Sequence, residues 1–199
     1  MAMDGDAPIG RSGAYAKGVA RRQEILDRAI EVFAERGAAG TSLRQIAQAI
    51  GVSHAALLHY FDSREQLLVA VYDHAESGRD RGGQTASGAV DLMVEAAVHN
   101  VAVPGMVQLY STLVAAALED GAGESRPFFT DRFERVRGDS ARRIREEQKR
   151  GTVRNDIDAE SLASMLIAIS DGLQTQWLLD PSIDLEGTLA KFQDLIAPR

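Results

Sequence analysis

The sequence has no cysteine, which excludes disulfide bonds and metal sites built from thiolates. Its four histidines are scattered, and His54 and His59 would lie about 140° apart around a helix, a spacing that does not favour a shared metal ion. The motifs of zinc hydrolases, helical metal enzymes and serine hydrolases are also missing. The chain is therefore predicted to have no metal, no cofactor and no enzymatic activity.

Long hydrophobic runs are absent as well. No stretch of about 18 uninterrupted apolar residues occurs, so no membrane-spanning helix and no membrane contact are predicted. The opening segment MAMDGDAPIGRSG contains two acids and lacks the apolar run of a secretory signal. We therefore expect a cytoplasmic protein. With 45% hydrophobic residues in a chain of 199, there are enough apolar side chains to build a folded core.

The charge is acidic in total but unevenly distributed. The formal net charge is −7, whereas residues 10–61 carry seven Lys and Arg against four acids, a local balance of +3 that suits contact with nucleic acid. A second basic region, residues 126–154, has ten Lys and Arg against five acids. Since mixed charges are ordinary on solvated helix faces, this second region is predicted to be the exposed side of a long helix.

Residues 41–61 have the pattern of two short helices joined by a tight turn. The apolar residues of the first helix recur at the spacing of one helix face and are Leu43, Ile46, Ala47 and Ile50. Gly51 can end this helix in the left-handed conformation, and Ser53 can cap the next one. Val52 and Leu57 occupy the positions of a hydrophobic staple around that cap. This pattern predicts a helix-turn-helix.

The rest of the chain also follows a helical period, and no strand pattern competes with it. Further helices are predicted at residues 19–36, 64–76, 89–102, 104–120, 127–150, 159–179 and 184–197. Ser42 with Gln45, and Ser63 with Gln66, have the spacing of capping boxes. Proline residues 104 and 127 are predicted in the first turns of their helices. The predicted fold class is therefore all-α.

The glycine-rich segment at residues 77–88 has no large apolar residue and predicts a boundary between two parts of the chain. Residues 1–16, with little to bury, are predicted to be a flexible N-terminal arm. The predicted division is then a helix-turn-helix domain at 17–77 and a C-terminal domain at 78–199.

A helix-turn-helix reads DNA by placing its second helix in the major groove, where base edges carry distinct donors and acceptors. The first turn of that helix combines small residues with one imidazole and comprises Ser53, His54, Ala55 and Ala56. His59, Tyr60 and Arg64 follow where phosphate contacts are expected. Arg44, in the preceding helix, can read a guanine through its planar guanidinium. The structural alternatives are that Arg44 and His54 are simply solvated and that Tyr60 belongs partly to the core.

Residues 19–76 resemble the DNA-binding domain of the tetracycline repressor (TetR) family of bacterial transcriptional regulators. Three segments with unbroken spacing carry the resemblance: ILDRAIEVFAERG, TSLRQIAQAIGVS and LLHYFDSREQLL. It implies an all-helical homodimer with an N-terminal three-helix DNA-binding domain and a larger C-terminal domain that binds a small molecule and pairs two subunits. Over the C-terminal part, the resemblance rests on the number of helices and on the segment DGLQTQWLLDP.

The resemblance also assigns DNA contacts. The base-facing positions of the family fall on Arg44, His54, Ala55 and Ala56. The phosphate-facing positions fall on Thr41, Ser53, His59, Tyr60 and Arg64. Many members have glycine at the position of Ala55 and tyrosine at the position of Leu58. Leucine cannot donate a hydrogen bond, so either Leu58 packs against a thymine methyl group or neighbours such as Tyr60 supply the affinity.

The implied function is that of a repressor whose partner is a double-stranded DNA operator. A two-fold dimer predicts a palindromic operator with half-sites about one helical turn apart or somewhat more. A small molecule would enter the C-terminal domain and move the fourth helix, so that the two recognition helices no longer match the groove spacing. The alternative is a helical sensor or scaffold module that has lost DNA binding, with Ala55 and Leu58 as its only support.

Two further sets of residues are predicted in the C-terminal domain. Family-like dimers pair mainly through the last two long helices, and the expected interface comprises Gly172, Leu173, Gln176, Leu185, Leu189 and Phe192. Packing within one chain is the alternative for this set. The expected ligand pocket has apolar and polar walls and comprises Met93, His99, Met106, Tyr110, Phe128, Gln174 and Trp177. This mixture predicts a small apolar or amphipathic ligand.

Overall fold

The computed structural model describes residues 11–36, 42–81, 88–119 and 123–198, and every regular element in these ranges is an α-helix. The all-α fold class is thereby confirmed. The helices are α1 (Arg11–Arg36), α2 (Leu43–Ala49), α3 (His54–Leu58), α4 (Arg64–Arg81), α5 (Ala89–Ala102), α6 (Met106–Ala117), α7 (Ser125–Lys149), α8 (Ala159–Leu179), α9 (Leu185–Ala190) and α10 (Phe192–Leu195).

Most predicted helices are present, and two of them are longer than expected. α1 begins at Arg11 rather than at residue 19, so part of the expected N-terminal arm is helical. α4 continues to Arg81, beyond the expected end at residue 76 and across the predicted domain boundary. Glycine and charged residues in these segments weaken the apolar period from which the ends were predicted, but they do not stop a helix.

Two other helices differ from prediction because of local backbone geometry. α6 begins at Met106, since Gly105 has a φ of 76° and serves as its N-cap. The prediction that Pro104 lies in a first helical turn is therefore wrong. The helix predicted at residues 184–197 is divided into α9 and α10, which meet at Lys191.

One apolar core joins the helix-turn-helix to the C-terminal helices. It contains buried side chains from α1 to α4 together with Met106, Leu109, Leu113 and others from α6 and α7. Tyr72 of α4 is only 1% exposed, and its ring centroid lies 5.6 Å from that of Tyr110 and 5.8 Å from that of Phe129. Buried aromatic contacts of this kind add to the stabilisation from apolar burial. α4 is thus packed on both halves of the molecule.

A second apolar core holds the C-terminal helices together. It is formed by α5, α7, α8, α9 and α10, with Ile144, Leu166 and Leu189 completely buried. The two cores share α7, whose Phe129 lies in the first and whose Ile144 lies in the second. α7 therefore spans the C-terminal part from the helix-turn-helix to its far end.

The start of α7 is tied to the start of α4. The Glu65 carboxylate accepts a hydrogen bond from the Ser125 backbone N–H at 2.9 Å, and a carboxylate at a helix N-terminus also interacts favourably with the helix dipole. A Cβ on Gly123 would lie 2.9 Å from the same carboxylate, so glycine leaves the space that this contact needs. This contact sets where α7 begins relative to the helix-turn-helix.

α5 is fixed by a buried acid. The Glu147 carboxylate of α7, itself only 6% exposed, accepts from the Ala89 backbone N–H at 3.2 Å.

α5 and α6 are the most apolar helices, yet none of the described helices is long and apolar enough to cross a bilayer by itself. These two meet that test only as a pair, and they are bent by 103° relative to each other.

We expect opposite effects from replacing two glycines with alanine. Gly51→Ala should lower the free energy of unfolding by about 1 kcal/mol, because its φ of 73° is strained for any residue with a Cβ. Gly138→Ala, inside α7 with open space around the Cβ position, should raise it by up to about 1 kcal/mol. Urea unfolding at one fixed protein concentration measures both, and a stabilising Gly51→Ala would contradict the turn geometry.

Candidate DNA-binding and ligand-binding sites

The serine caps predicted around the helix-turn-helix are present. At α2, the Ser42 hydroxyl accepts from the Gln45 N–H at 3.3 Å, and the Gln45 side chain accepts from the Ser42 N–H at 2.8 Å, which completes a capping box. At α4, the Ser63 hydroxyl accepts from the Gln66 N–H at 3.0 Å. The Gln66 side chain, however, accepts from the Asp62 N–H at 2.6 Å, so the second capping box is only half formed.

The turn between α2 and α3 is held from both sides. Gly51 takes the left-handed conformation, and the Ser53 hydroxyl accepts from the Ala56 N–H at 3.0 Å, as predicted. The Arg28 guanidinium of α1 donates to the Ile50 carbonyl at 3.0 Å. These contacts set the angle between α2 and α3 and tie it to α1.

α3 is anchored by one side chain and presents the others to solvent. Leu57 is completely buried in the first core. Leu58, beside it, is 42% exposed, so the surface of α3 includes an apolar side chain. The exposed residues of α3 and its flanks are Ser53, His54, Ala55, Ala56, Leu58 and His59.

The other predicted DNA contacts surround α3. Arg44 is exposed on α2, whereas Tyr60 is half-buried, with its ring edge-on to His59 at a centroid distance of 5.2 Å. Arg64 is half-buried at the first position of α4. Thr41 lies outside the described residues. Tyr60 packs against the first core, which agrees with the alternative that it belongs partly to the core. It still lies next to the exposed face of α3.

A cavity of about 650 Å³ lies among α1, α4, α5, α7 and α8. α4 contributes Ala75 and Gly78 to its wall, and α1 contributes Ile30. This volume is in the range of known small-molecule sites. Most of the lining is apolar, and the charged or polar lining residues are Glu95, His99, Asn100, Arg132, Arg135, Asp139, Ser140, Ser170, Asp171 and Gln174.

The structure places three of the seven predicted pocket residues in this wall: Met93, His99 and Gln174. The other four differ from the prediction. Met106, Tyr110 and Phe128 pack in the first core, and Trp177 packs against the second. A helical period identifies apolar faces, but it does not tell a face that lines a cavity from one that packs on a neighbouring helix.

A buried ion pair connects α4 with the cavity wall. The Glu76 carboxylate, 3% exposed, accepts from Arg132 Nε at 2.9 Å and Nη2 at 2.6 Å, and from Arg135 Nη2 at 3.3 Å. The Arg132 guanidinium also lies 5.5 Å from the Tyr72 ring centroid and 5.2 Å from that of Tyr110. Both arginines line the cavity and Glu76 is on α4, so a displacement of either arginine would act directly on α4.

Asp171 of α8 forms a second polar contact at the cavity wall. Its carboxylate accepts from the Tyr110 hydroxyl at 2.9 Å. Burial raises the pKa of Asp171 above its ordinary value, although the Tyr110 hydrogen bond and Arg132 act in the opposite direction. Burial also raises the pKa of Tyr110, and the negative charge of Asp171 adds to that effect.

The residues predicted for the dimer interface fall into two groups. Leu173, Leu185, Leu189 and Phe192 are buried in the second core of this chain, as the alternative of packing within one chain requires. Gly172 and Gln176 are exposed on α8. The apolar period identified the inward face of these helices rather than the interface. It does not distinguish the two, because leucine is favoured both at buried positions within a chain and at positions between subunits.

Sequence reasoning missed Glu76, Arg132 and Asp171. In sequence, Glu76 and Arg132 look like ordinary charges on solvated helix faces, and only the fold brings them together across 56 positions. Asp171 did carry a signal, because it is the single charged residue between positions 161 and 179. An isolated acid in an apolar helix is a candidate for a functional role.

The fold and the exposed α3 define a helix-turn-helix DNA-binding protein with a cavity between its C-terminal helices and the helices α1 and α4. Residues 25–71 match the family described as bacterial regulatory proteins, tetR family, and residues 88–197 match the family described as BetI-type transcriptional repressor, C-terminal. This chain belongs to the TetR family and is a DNA-binding transcriptional regulator. The members of that family are regulators of transcription rather than enzymes.

Individual relatives agree with this assignment. The regulator BetI of Rhizobium meliloti is 30% identical over 88% of this chain and 87% of that protein, and TtgR of Pseudomonas putida is 26% identical over 87% and 88%. A TetR-family structure from Rhodococcus sp. has a TM-score of 0.73 at 23% identity, covering 89% of this chain and 98% of that one. A Saccharomonospora viridis regulator solved with choline has a TM-score of 0.70 at 23% identity, covering 91% and 100%.

We expect Glu76→Gln to lower the free energy of unfolding by about 1–3 kcal/mol, because it leaves the buried Arg132 without its counter-charge. Chemical denaturation measures the change. Glu146→Gln is the control, since Glu146 pairs with Lys149 on the exposed surface of α7 and should leave stability unchanged within error. Equal effects from the two variants would show that the Glu76 pair has no special structural role.

Proposed function

We propose that this protein is a dimeric repressor that binds a palindromic operator and is released from it by a small molecule. The observation that carries the proposal is the position of α4. It begins beside the recognition helix α3, and its Ala75 and Gly78 form part of the wall of the 650 Å³ cavity. A ligand in the cavity would therefore contact α4, the helix that joins the helix-turn-helix to the C-terminal helices.

In the proposed complex, α3 enters the major groove with its small exposed residues towards the bases. Arg44, His54, Ala55 and Ala56 face base edges, and Leu58, with 42% of its surface exposed, packs against a thymine methyl group. Phosphates are contacted by Ser53, His59, Tyr60 and Arg64, with Thr41 as a further candidate. The exposure of these side chains supports this assignment, apart from the half-buried Tyr60 and Arg64 and from Thr41, which the structure does not describe.

The proposed dimer forms through the outer face of α8. Met165, Gly172 and Leu179 lie along one exposed stripe, and Leu179 is 85% exposed. Leu195 of α10, 67% exposed, borders an apolar groove that also includes Met165. An apolar surface of this kind is costly in water and is typical of an interface. Gly172 would let the two α8 helices approach closely.

Release would follow from the contacts between α4 and α7. A ligand that binds preferentially to one arrangement of the cavity shifts the protein towards that arrangement by its difference in affinity. Since Glu76 is bonded to Arg132 and Arg135 in the wall, displacement of these arginines would move α4 and with it α3. The structure of a regulator of this fold with bound choline supports a small molecule as the effector.

DNA recognition can be tested with an operator selected by the purified protein from a random double-stranded library. We expect Arg44→Ala to weaken binding about tenfold to a hundredfold and to relax the base preference at one position of each half-site. Arg137→Ala, on the exposed surface of α7, is the matched control and should bind as the parent does. Fluorescence anisotropy at two salt concentrations measures both the affinity for the operator and the dependence of that affinity on salt.

Either of two results would contradict the DNA-binding assignment: no enriched sequence in the selection, or unchanged affinity of Arg44→Ala. An enriched sequence without two-fold symmetry would contradict the dimeric arrangement on DNA.

The dimer can be tested independently of DNA. We expect Leu179→Glu to shift the protein from dimer to monomer in sedimentation velocity, because it places two charges in the proposed interface. Leu118→Glu is the control, since Leu118 is 77% exposed at the end of α6, outside the proposed face. A Leu179→Glu protein that sediments as the parent dimer would place the interface elsewhere.

A further inference from the structure

The outward face of α3 carries mainly apolar side chains. At about 100° per residue, Ala55 lies about 160° around the helix from the buried Leu57, so it is near the centre of that face. Ala56 and Leu58 lie on either side of Ala55, and all three are exposed. The surface that α3 presents to DNA in the proposed complex therefore has methyl groups at its centre.

The same segment lacks the side chains that read bases through paired hydrogen bonds. In the major groove, guanine is read by Arg or Lys, adenine by Asn or Gln, and cytosine by Asp or Glu. None of these six residue types occurs at residues 53–61. α3 therefore has no side chain with which to recognise these three bases in this way.

The polar side chains of the segment do not replace such readers. The Ser53 hydroxyl serves as the cap of α3 and accepts from the Ala56 N–H at 3.0 Å. The ring nitrogens of His54 and His59 point in different directions, so each imidazole directs one hydrogen-bonding group at a base. A single hydrogen bond helps to position the helix, but it distinguishes the bases less well than a bidentate pair does.

The 5-methyl group of thymine is the feature of the major groove that fits this surface. It is the apolar group that a base edge presents there, and small apolar side chains are its usual partners. The N-terminal residues of a recognition helix are the ones that contact base edges, which places Ala55 and Ala56 next to them. Leu58 enlarges the apolar surface on one side.

We propose that α3 distinguishes bases chiefly by their 5-methyl groups, so that each operator half-site presents at least two thymine methyl groups to Ala55, Ala56 and Leu58. This inference rests on the proposed function, because it names the feature of the operator that the same helix reads. It extends the contact proposed for Leu58 to the whole outward face. Since 5-methylcytosine presents the same methyl group, operator binding would also respond to cytosine methylation.

The test replaces the thymines of the selected operator with deoxyuridine, one position at a time in both half-sites. Deoxyuridine keeps every hydrogen-bonding group of thymine and lacks only the methyl group. We expect at least two positions per half-site at which binding weakens about fifteenfold, or about fourfold for each methyl group removed. Fluorescence anisotropy measures the affinities, and thymines between the half-sites are the DNA control.

Leu58→Ala tests which side chain makes the contact. At one of these positions the variant should bind the thymine and deoxyuridine operators equally, because the leucine that contacts the methyl group is gone. Leu118→Ala is the matched control, since Leu118 is 77% exposed at the end of α6 and should keep the preference for thymine at every position. Thermal unfolding of both variants checks that the fold is retained.

A gain of binding can be measured at the same position. Cytosine and 5-methylcytosine, each paired with guanine, differ there by the methyl group alone. With both half-sites substituted, we expect the parent protein to bind the 5-methylcytosine operator about fifteenfold more tightly than the cytosine operator.

Three results would each overturn the proposal: equal binding of thymine and deoxyuridine at every position, a Leu58→Ala protein that keeps every preference, or no gain from 5-methylcytosine. An operator that is selected and bound without regard to methyl groups removes this inference and leaves the proposed function standing. If no sequence is enriched in the selection, the proposed function fails and this inference fails with it.

Discussion

The buried ion pair between Glu76 and Arg132 constrains the rest of the structure. A carboxylate and a guanidinium placed in an aromatic core are tolerable only while they remain in contact, because separation would leave two uncompensated charges. The pair therefore fixes α4 against α7. The orientation of the DNA-binding half and the shape of the cavity wall both follow from that contact, so neither is expected to change without the other.

α4 is attached to α7 at two points along its length. Glu65 binds the N-terminus of α7, and Glu76 binds the side chains of α7 about 16 Å further along, at 1.5 Å per residue. Two attachment points on one helix resist both rotation and sliding. Between them lies Tyr72, whose ring packs on Tyr110 and Phe129. The coupling between α4 and α7 is thus made by packing and charge together.

Features that lower the stability of the isolated chain coincide with the proposed sites. Asp171, whose ionised form is disfavoured by burial, lies in the cavity wall, the exposed Leu179 and Leu195 lie on the proposed dimer face, and Leu58 is exposed on the recognition helix. A folded protein can retain such residues when a ligand, a second subunit or DNA removes the cost.

The sequence by itself determined the local structure around the helix-turn-helix, because caps, glycine turns and apolar periods act over a few residues: Ser42, Gly51 and Ser53 have the conformations predicted for them. Tertiary structure alone decided which apolar face lines the cavity, since Met106 and Met93 have the same local pattern but different neighbours. It also decided that Leu189 packs inward and that Glu76 meets Arg132, because contacts between residues far apart in sequence depend on how whole helices pack.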